Sequence, residues 1–168
     1  MGRKSTKENK TIYQMVREEL GLTREKAGEL IPGFSPERIE KIENGRIQVR
    51  PEDVLLMAEY YKAPALRNYY CSNECVLGRG KTPQLESKEL LQIFVELING
   101  VNRLNKSKDR MLEIAEDGTV DPDEVEDFIT IKETLDKIQI AASTLQLWIE
   151  EKIAAGELEE GVFGSGES

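Results

Sequence analysis

The chain is 168 residues long, 39% hydrophobic and 33% charged but only 6% aromatic, a balance that suits helices with solvated charged faces rather than a sheet-rich domain. Its formal net charge of −9 is unevenly placed, with 13 Lys+Arg against 11 Asp+Glu in residues 1–70 and 10 against 21 in residues 71–168, so the first part can approach a polyanion and the second is repelled by one. Two cysteines and no histidine exclude a disulfide framework, histidine-based catalysis and histidine metal ligation.

Residues 1–10, MGRKSTKENK, carry Arg3, Lys4, Lys7 and Lys10 with no apolar residue after Met1, which predicts a disordered basic arm. That start lacks the apolar stretch of a secretory signal, and no apolar run approaches the roughly 20 residues of a membrane span. A cytoplasmic location is expected.

Residues 11–77 read as one domain of five short helices. Ile12, Met15, Val16 and Leu20 form an apolar face on the first. Thr23 is placed to cap the second, which carries Ala27, Leu30 and Ile31 and is ended by Pro32 and Gly33. Ser35 caps a third with Pro36 at its first position, Ile39 and Ile42 inward, and Gly45 where a left-handed residue is wanted. A fourth starts at Pro51 and is expected to bury Val54, Leu55, Met57, Ala58 and Tyr61; a fifth follows Pro64 through Leu66, Tyr69 and Tyr70.

Residues 78–85, rich in Gly, Lys, Pro and polar side chains, read as a linker. Residues 86–155 then change period. Phe94, Leu97, Val101, Leu104, Met111 and Ala115 make a 3-4 seam along a single long helix, and Phe128, Ile131, Leu135, Ile138, Ala142, Leu145 and Ile149 make another. Between them Asp121, Pro122 and Glu124 form a capping box that starts the second helix. The two seams are expected to close as an antiparallel hairpin with facing positions summing to about 239, so that Leu104 meets Leu135, Val101 meets Ile138 and Phe94 meets Leu145. Leu91, Val95 and Ile98 on one helix, with Ile140, Leu147 and Trp148 on the other, widen the apolar stripe beyond what two helices cover. A second copy forming a four-helix bundle is the expected solution, the alternative being the N-terminal domain folded onto this stripe. Residues 156–168 are acidic and Gly/Ser-rich and predict a disordered tail.

The stretch REKAGELIPGFSPERIEKIENG, Arg24 to Gly45, resembles the Cro and lambda-repressor family of helix-turn-helix domains, also called the xenobiotic-response-element type. The resemblance covers about residues 11–66. It implies that Gly28 is the small residue allowing the two motif helices to pack closely, Gly33 makes the turn, Ser35 caps the recognition helix, and Ile39, Ile42, Glu43 and Gly45 close the pattern. It also implies a sequence-specific reader of double-stranded DNA that regulates transcription, here acting as the homodimer expected from the C-terminal helices. In this sequence the turn is one residue longer than the family's, with Pro32 the extra residue.

The positions matching the family's groove-facing residues are Ser35, Pro36, Glu37, Glu40, Lys41 and Asn44, so two carboxylates accompany one lysine. Arg24, Arg38, Arg46 and Arg50 are expected to add phosphate contacts. Because carboxylates oppose phosphate binding, the same fold used as a protein-binding module without DNA stands as the alternative.

The segment NYYCSNEC, Asn68 to Cys75, is similar to one following this domain in a group of Firmicutes helix-turn-helix proteins, whose members often have a further cysteine near the position of Arg67. A thiolate metal site of that kind would lack a ligand here, and two buried, inert cysteines are expected instead. The turn from Asp117 to Glu124 is similar to the second half of a calcium loop, but Ala115 stands at a first-half ligand position and leaves the oxygen cage incomplete. No phosphate-binding loop, nucleophile with a histidine base, or zinc-protease motif occurs. Neither an enzyme, a metal nor a cofactor is expected.

Overall fold

The computed structural model describes residues 10–116, 118–159 and 161; the expectations for the basic arm, apart from Lys10, and for most of the acidic tail lie outside them. The architecture is all-α and divides into two compact units, residues 1–84 with 150–168, and residues 85–149. No described helix is long and apolar enough to cross a membrane.

The first unit begins with five short helices, α1 (Ile12–Glu19), α2 (Arg24–Leu30), α3 (Pro36–Glu43), α4 (Pro51–Tyr60) and α5 (Ala65–Asn73). Their ends follow from local chemistry. The hydroxyls of Thr11, Thr23 and Ser35 accept from the backbone N–H groups of Gln14, Lys26 and Arg38, each satisfying a donor that the first helical turn leaves orphaned. Gly45 stops α3 at φ 64°, a conformation that costs glycine nothing.

Tyr13, Ala27, Ile31, Ile39, Ile42, Val54, Met57, Tyr61 and Leu66 form the core. Several residues expected in it are outside: Met15, Leu20, Leu30 and Leu55 are exposed. On α1 Ile12 and Val16 pack against the core as expected, but the fully buried positions are Tyr13, Gln14 and Arg17, the last because an ionic group at the foot of α3 demands a partner there. An apolar face counted from α1 alone cannot register that demand.

The stretch read as a linker is fastened to α5. Asn68 Nδ2 donates to the Pro83 carbonyl at 3.0 Å and Asn73 Nδ2 to Gln84 Oε1 at 3.3 Å. A β carbon on Gly78 would stand 2.2 Å from the Cys71 carbonyl oxygen, so only glycine permits this approach. The cysteines depart from expectation. Cys71 is exposed and Cys75 half-buried against the core, since α5 turns Leu66 and Tyr70 inward and Cys71 falls on the outer side. Among the described residues no cluster of three acidic or thiol groups could hold a metal.

Glu74, at the end of α5, accepts a hydrogen bond from the Tyr13 hydroxyl at 3.1 Å. Burial pushes its carboxyl above the ordinary range, outweighing that bond. A folded pKa above the unfolded one means that stability from the protonated form is full below the unfolded value and is lost as pH rises through the folded value. Glu74→Gln keeps an acceptor for Tyr13 and removes the charge. It is therefore expected to raise the melting temperature at pH 7, with the gain vanishing below about pH 4, where the carboxyl is protonated in both states; a gain equal at both pH values would refute the account.

In the second unit α6 (Leu90–Lys106) and α8 (Val125–Ala154) pack against each other, with the short α7 (Lys108–Ala115) between. The single long first helix expected from the sequence is interrupted at Ser107, whose N–H is shared between the Arg103 and Leu104 carbonyls at 3.2 and 3.0 Å and whose hydroxyl leans on Arg103 O at 3.4 Å. Such back-bonding competes with the helical ladder and breaks it. At the far side of the turn, Asp121 N–H donates to Glu124 at 3.2 Å as the capping box requires, but α8 itself starts at Val125.

The expected seam is met in part. Ile131 is buried as expected and Leu97, Leu104, Met111, Ile138, Leu145 and Ile149 are half-buried, but Phe94, Val101, Phe128 and Leu135 are exposed, and Ile93, Gly100, Ile114, Thr134, Ala141, Thr144 and Leu147 are buried. Gly100 lies against Ile138, one position from the expected Val101–Ile138 pair. At this level Gly100 leaves room for the branched Ile138 side chain. Thr134 and Thr144 direct their hydroxyls to the carbonyls four residues back, at 2.9 and 2.8 Å, which satisfies them and lets the side chains pack as small apolar groups.

Candidate nucleic-acid interface

The α2–turn–α3 arrangement is held by three devices. The first is close approach: a β carbon on Gly28 would meet Pro36 Cδ at 3.2 Å and the Phe34 carbonyl at 3.4 Å. Even alanine is tight there, which gives the small residue its reason. The turn that accommodates Pro32 has Ile31 in extended conformation and Gly33 at φ 77°, and it drops Ile31 and Phe34 into the core.

The second device is Glu43, fully buried at the end of α3. It accepts from Arg17 Nε, from Arg17 Nη2 at 3.0 Å and from Arg24 Nε at 2.8 Å, while its own carbonyl accepts from the Thr11 hydroxyl at 3.2 Å. One carboxylate thereby ties α1 and α2 to α3. The third is Asp53 at the start of α4, which takes both 2.8 Å bonds of a bidentate contact from Arg38 Nη2 and one from the Arg50 N–H at 3.4 Å. Arg38 also stands over the Phe34 ring at 5.3 Å, within cation–π range.

These bonds redistribute the candidate contact residues. Arg24 and Arg38, expected on phosphates, have their guanidinium groups engaged within the fold. The outward side of α3 presents Ser35, Glu37 and Lys41 exposed, with Pro36, Glu40 and Asn44 half-buried. Glu40 collects Asn44 Nδ2 at 3.4 Å and Arg46 at 3.5 Å. The Ser35 hydroxyl beside Glu37 holds that carboxyl below the usual range, so it is charged at neutral pH. Lys26, Lys41 and Arg50 are exposed and have no ion pair among the described residues.

Sequence reasoning named Glu43 only as a motif position and left out Arg17 and Asp53. A signal existed for Glu43: following Ile39 and Ile42 at spacings of four and one, it lies on the buried stripe of α3, where a carboxylate must find cations.

The family model described as a helix-turn-helix domain matches residues 14–68. The chain thus carries a helix-turn-helix domain of the xenobiotic-response-element-like type over roughly one third of its length, and proteins with this domain are typically non-enzymatic. No curated protein sequence and no solved structure matches the chain.

Of the positions expected at a dimer contact, Leu91, Val95 and Ile98 are exposed, Ile140 and Trp148 are half-buried, and Leu147 is buried within the chain.

Proposed function

We propose that the protein is a sequence-specific DNA-binding regulator of transcription that acts as a homodimer through its C-terminal helices. The observation that carries this reading is the matched domain at residues 14–68 with α3 held rigidly and its Ser35–Lys41 side open to solvent. An exposed helix fixed this way fits the major groove, where its N-terminal residues reach base edges. Lys41 is the donor for a guanine edge, Asn44 sits at the helix end beside it, and Glu37 and Glu40 are acceptors suited to a cytosine amino group. Lys26, Arg46 and Arg50 are the remaining phosphate contacts. Two such helices about 34 Å apart would read a near-palindromic site.

The test is anisotropy of fluorescent random-sequence duplex at several salt concentrations, followed by selection of a preferred sequence. Affinity should fall steeply as salt rises, and Lys41→Glu should weaken binding to the selected site by about 10- to 100-fold. Unchanged affinity in Lys41→Glu would remove α3 from the interface.

A second reading has its own observation: Glu37 and Glu40 lie on the outward side of α3 while Arg24 and Arg38 are tied internally. A basic protein segment is the matching partner for that face. No duplex binding at low salt from a folded protein would favour it.

A further inference from the structure

Between α6 and α8 runs a groove of about 440 Å³, within the size range of small-molecule sites. Glu96, Asn99, Gly100 and Arg103 line it from α6, at a helical spacing that puts them on one stripe. Thr134, Lys137 and Ile140 line it from α8. Gly100 lies against Ile138 and Arg110 is ion-paired with Asp127, so the two helices run antiparallel. At about 1.5 Å per residue, Asn99, Arg103 and Lys137 all fall within about 5 Å of the Gly100–Ile138 contact along the helix axes. Three polar side chains therefore meet at one level of the groove.

The charges there do not cancel. Lys88 Nζ donates to both Glu96 oxygens at 2.8 Å, and Gln92 Nε2 adds a third bond at 3.2 Å. The Lys88 ammonium holds the Glu96 carboxyl below the usual range, so this pair is ionised and internally matched at neutral pH. Arg103 and Lys137 are exposed. Among the described residues neither side chain has an ion pair or a hydrogen bond, and neither does the Asn99 amide. Glu133, one turn from Lys137 on α8, makes no ion pair with it, and Asp136 pairs with Lys132. Two positive charges and one free amide remain. Their setting is acidic: residues 85–149 hold 14 Asp+Glu against 7 Lys+Arg, yet residues 97–108 include no carboxylate.

We infer that this groove binds a small organic carboxylate, its carboxyl group held between Arg103 and Lys137 and its apolar body laid against Gly100 and Ile140. A guanidinium presents a planar fork that matches a carboxylate in two parallel bonds, and an ammonium beside it adds a point charge. The Asn99 amide can donate to the same group or accept from a neighbouring hydroxyl. The floor asks for carbon. Gly100 and Thr134 are buried and Ile140 half-buried, and the Thr134 hydroxyl donates to the Thr130 carbonyl at 2.9 Å, so no unpaired donor lies beneath the ligand. A bare inorganic anion would leave that floor uncovered.

The surrounding charge decides against larger anions. A nucleic acid or an anionic membrane spans many of the carboxylates of this unit and meets net repulsion. A small monoanion feels chiefly the charges within a Debye length of about 8 Å, where Arg103 and Lys137 dominate. The site belongs to the helical unit and stands whether or not the first unit reads DNA.

The experiment titrates hexanoate into the full chain and follows the backbone amides by NMR. The resonances of Asn99, Gly100, Arg103 and Lys137 should shift together and saturate. Arg103→Gln and Lys137→Gln, at exposed positions where helicity should persist, should each weaken binding by about tenfold or more, the worth of one charge-assisted hydrogen bond. Lys106→Gln, a cation of the same helix outside the groove, should leave it unchanged. Hexanamide, with the same body and no charge, and inorganic phosphate, with charge and no body, should each bind more weakly by a similar factor. No saturable shift at those four residues, or hexanoate binding indifferent to both Arg103→Gln and Lys137→Gln, overturns the site. Hexanamide or phosphate binding as tightly as hexanoate overturns the assignment of its ligand.

Discussion

Glu43→Ala is expected to be the most damaging single substitution in the helix-turn-helix domain, lowering stability by about 3–5 kcal/mol, because breaking a buried ion pair strands the remaining charge. Arg17 is buried, and with Glu43 gone its guanidinium would keep only the Leu22 carbonyl and the more distant Glu18 carboxylate at 3.9 Å. Arg24, about a third exposed, can turn to water, so its share of the loss is small. Magnitude therefore assigns the effect to Arg17. The matching expectation is that Arg17→Met in the Glu43→Ala background recovers most of the lost stability, since an apolar pair of similar volume replaces an ionic one at little cost. Urea unfolding of the four members of this cycle measures it. Additive losses would show that Arg17 and Glu43 are not coupled.

The second large effect concerns Gly100. In a helix interior alanine is normally favoured over glycine by about 1 kcal/mol. Here the added β carbon would stand 2.5 Å from Ile138 Cγ1, near the root of a branched side chain with little room to move, and overpacking of this kind costs about 1–3 kcal/mol. The steric term exceeds the propensity term. Gly100→Ala should be net destabilising, and Gly100→Leu more so. Gly100→Ala combined with Ile138→Val, which shortens the opposing chain, should regain part of the loss in thermal unfolding followed by circular dichroism. If Gly100→Ala raises the melting temperature, the close contact at this level does not exist in solution.

The residues that made the first unit legible are those whose effect is local. Thr23, Ser35, Pro36, Gly45 and Pro51 fix helix ends through their own backbone and side-chain geometry, and every one of those ends is found where the sequence puts it. The outward side of α3 followed in the same way, from Ile39 and Ile42 facing inward. What was not legible depended on two elements at once. Arg24 and Arg38 look like surface cations until Glu43 and Asp53 are brought to them by α3 and α4. In the second unit, counting large apolar residues at heptad spacing found the buried Ile131 but also selected Phe94, Val101, Phe128 and Leu135, which the fold leaves exposed. Gly100, Thr134 and Ala141, buried in their place, are small residues that hydrophobic counting scores as gaps.

The engagement of Arg24 and Arg38 inside the domain bears on how tightly a single domain could hold DNA. With those two guanidinium groups withdrawn and Glu37 and Glu40 opposing phosphate, few cations remain on the α3 side of one domain. On the proposed function, a lone domain would then occupy its half-site only fleetingly. Joining two domains makes the second engagement intramolecular, and avidity can exceed the single-domain affinity by about 10²- to 10⁴-fold without any added contact. Occupancy of a site would then rise more steeply than linearly with protein concentration.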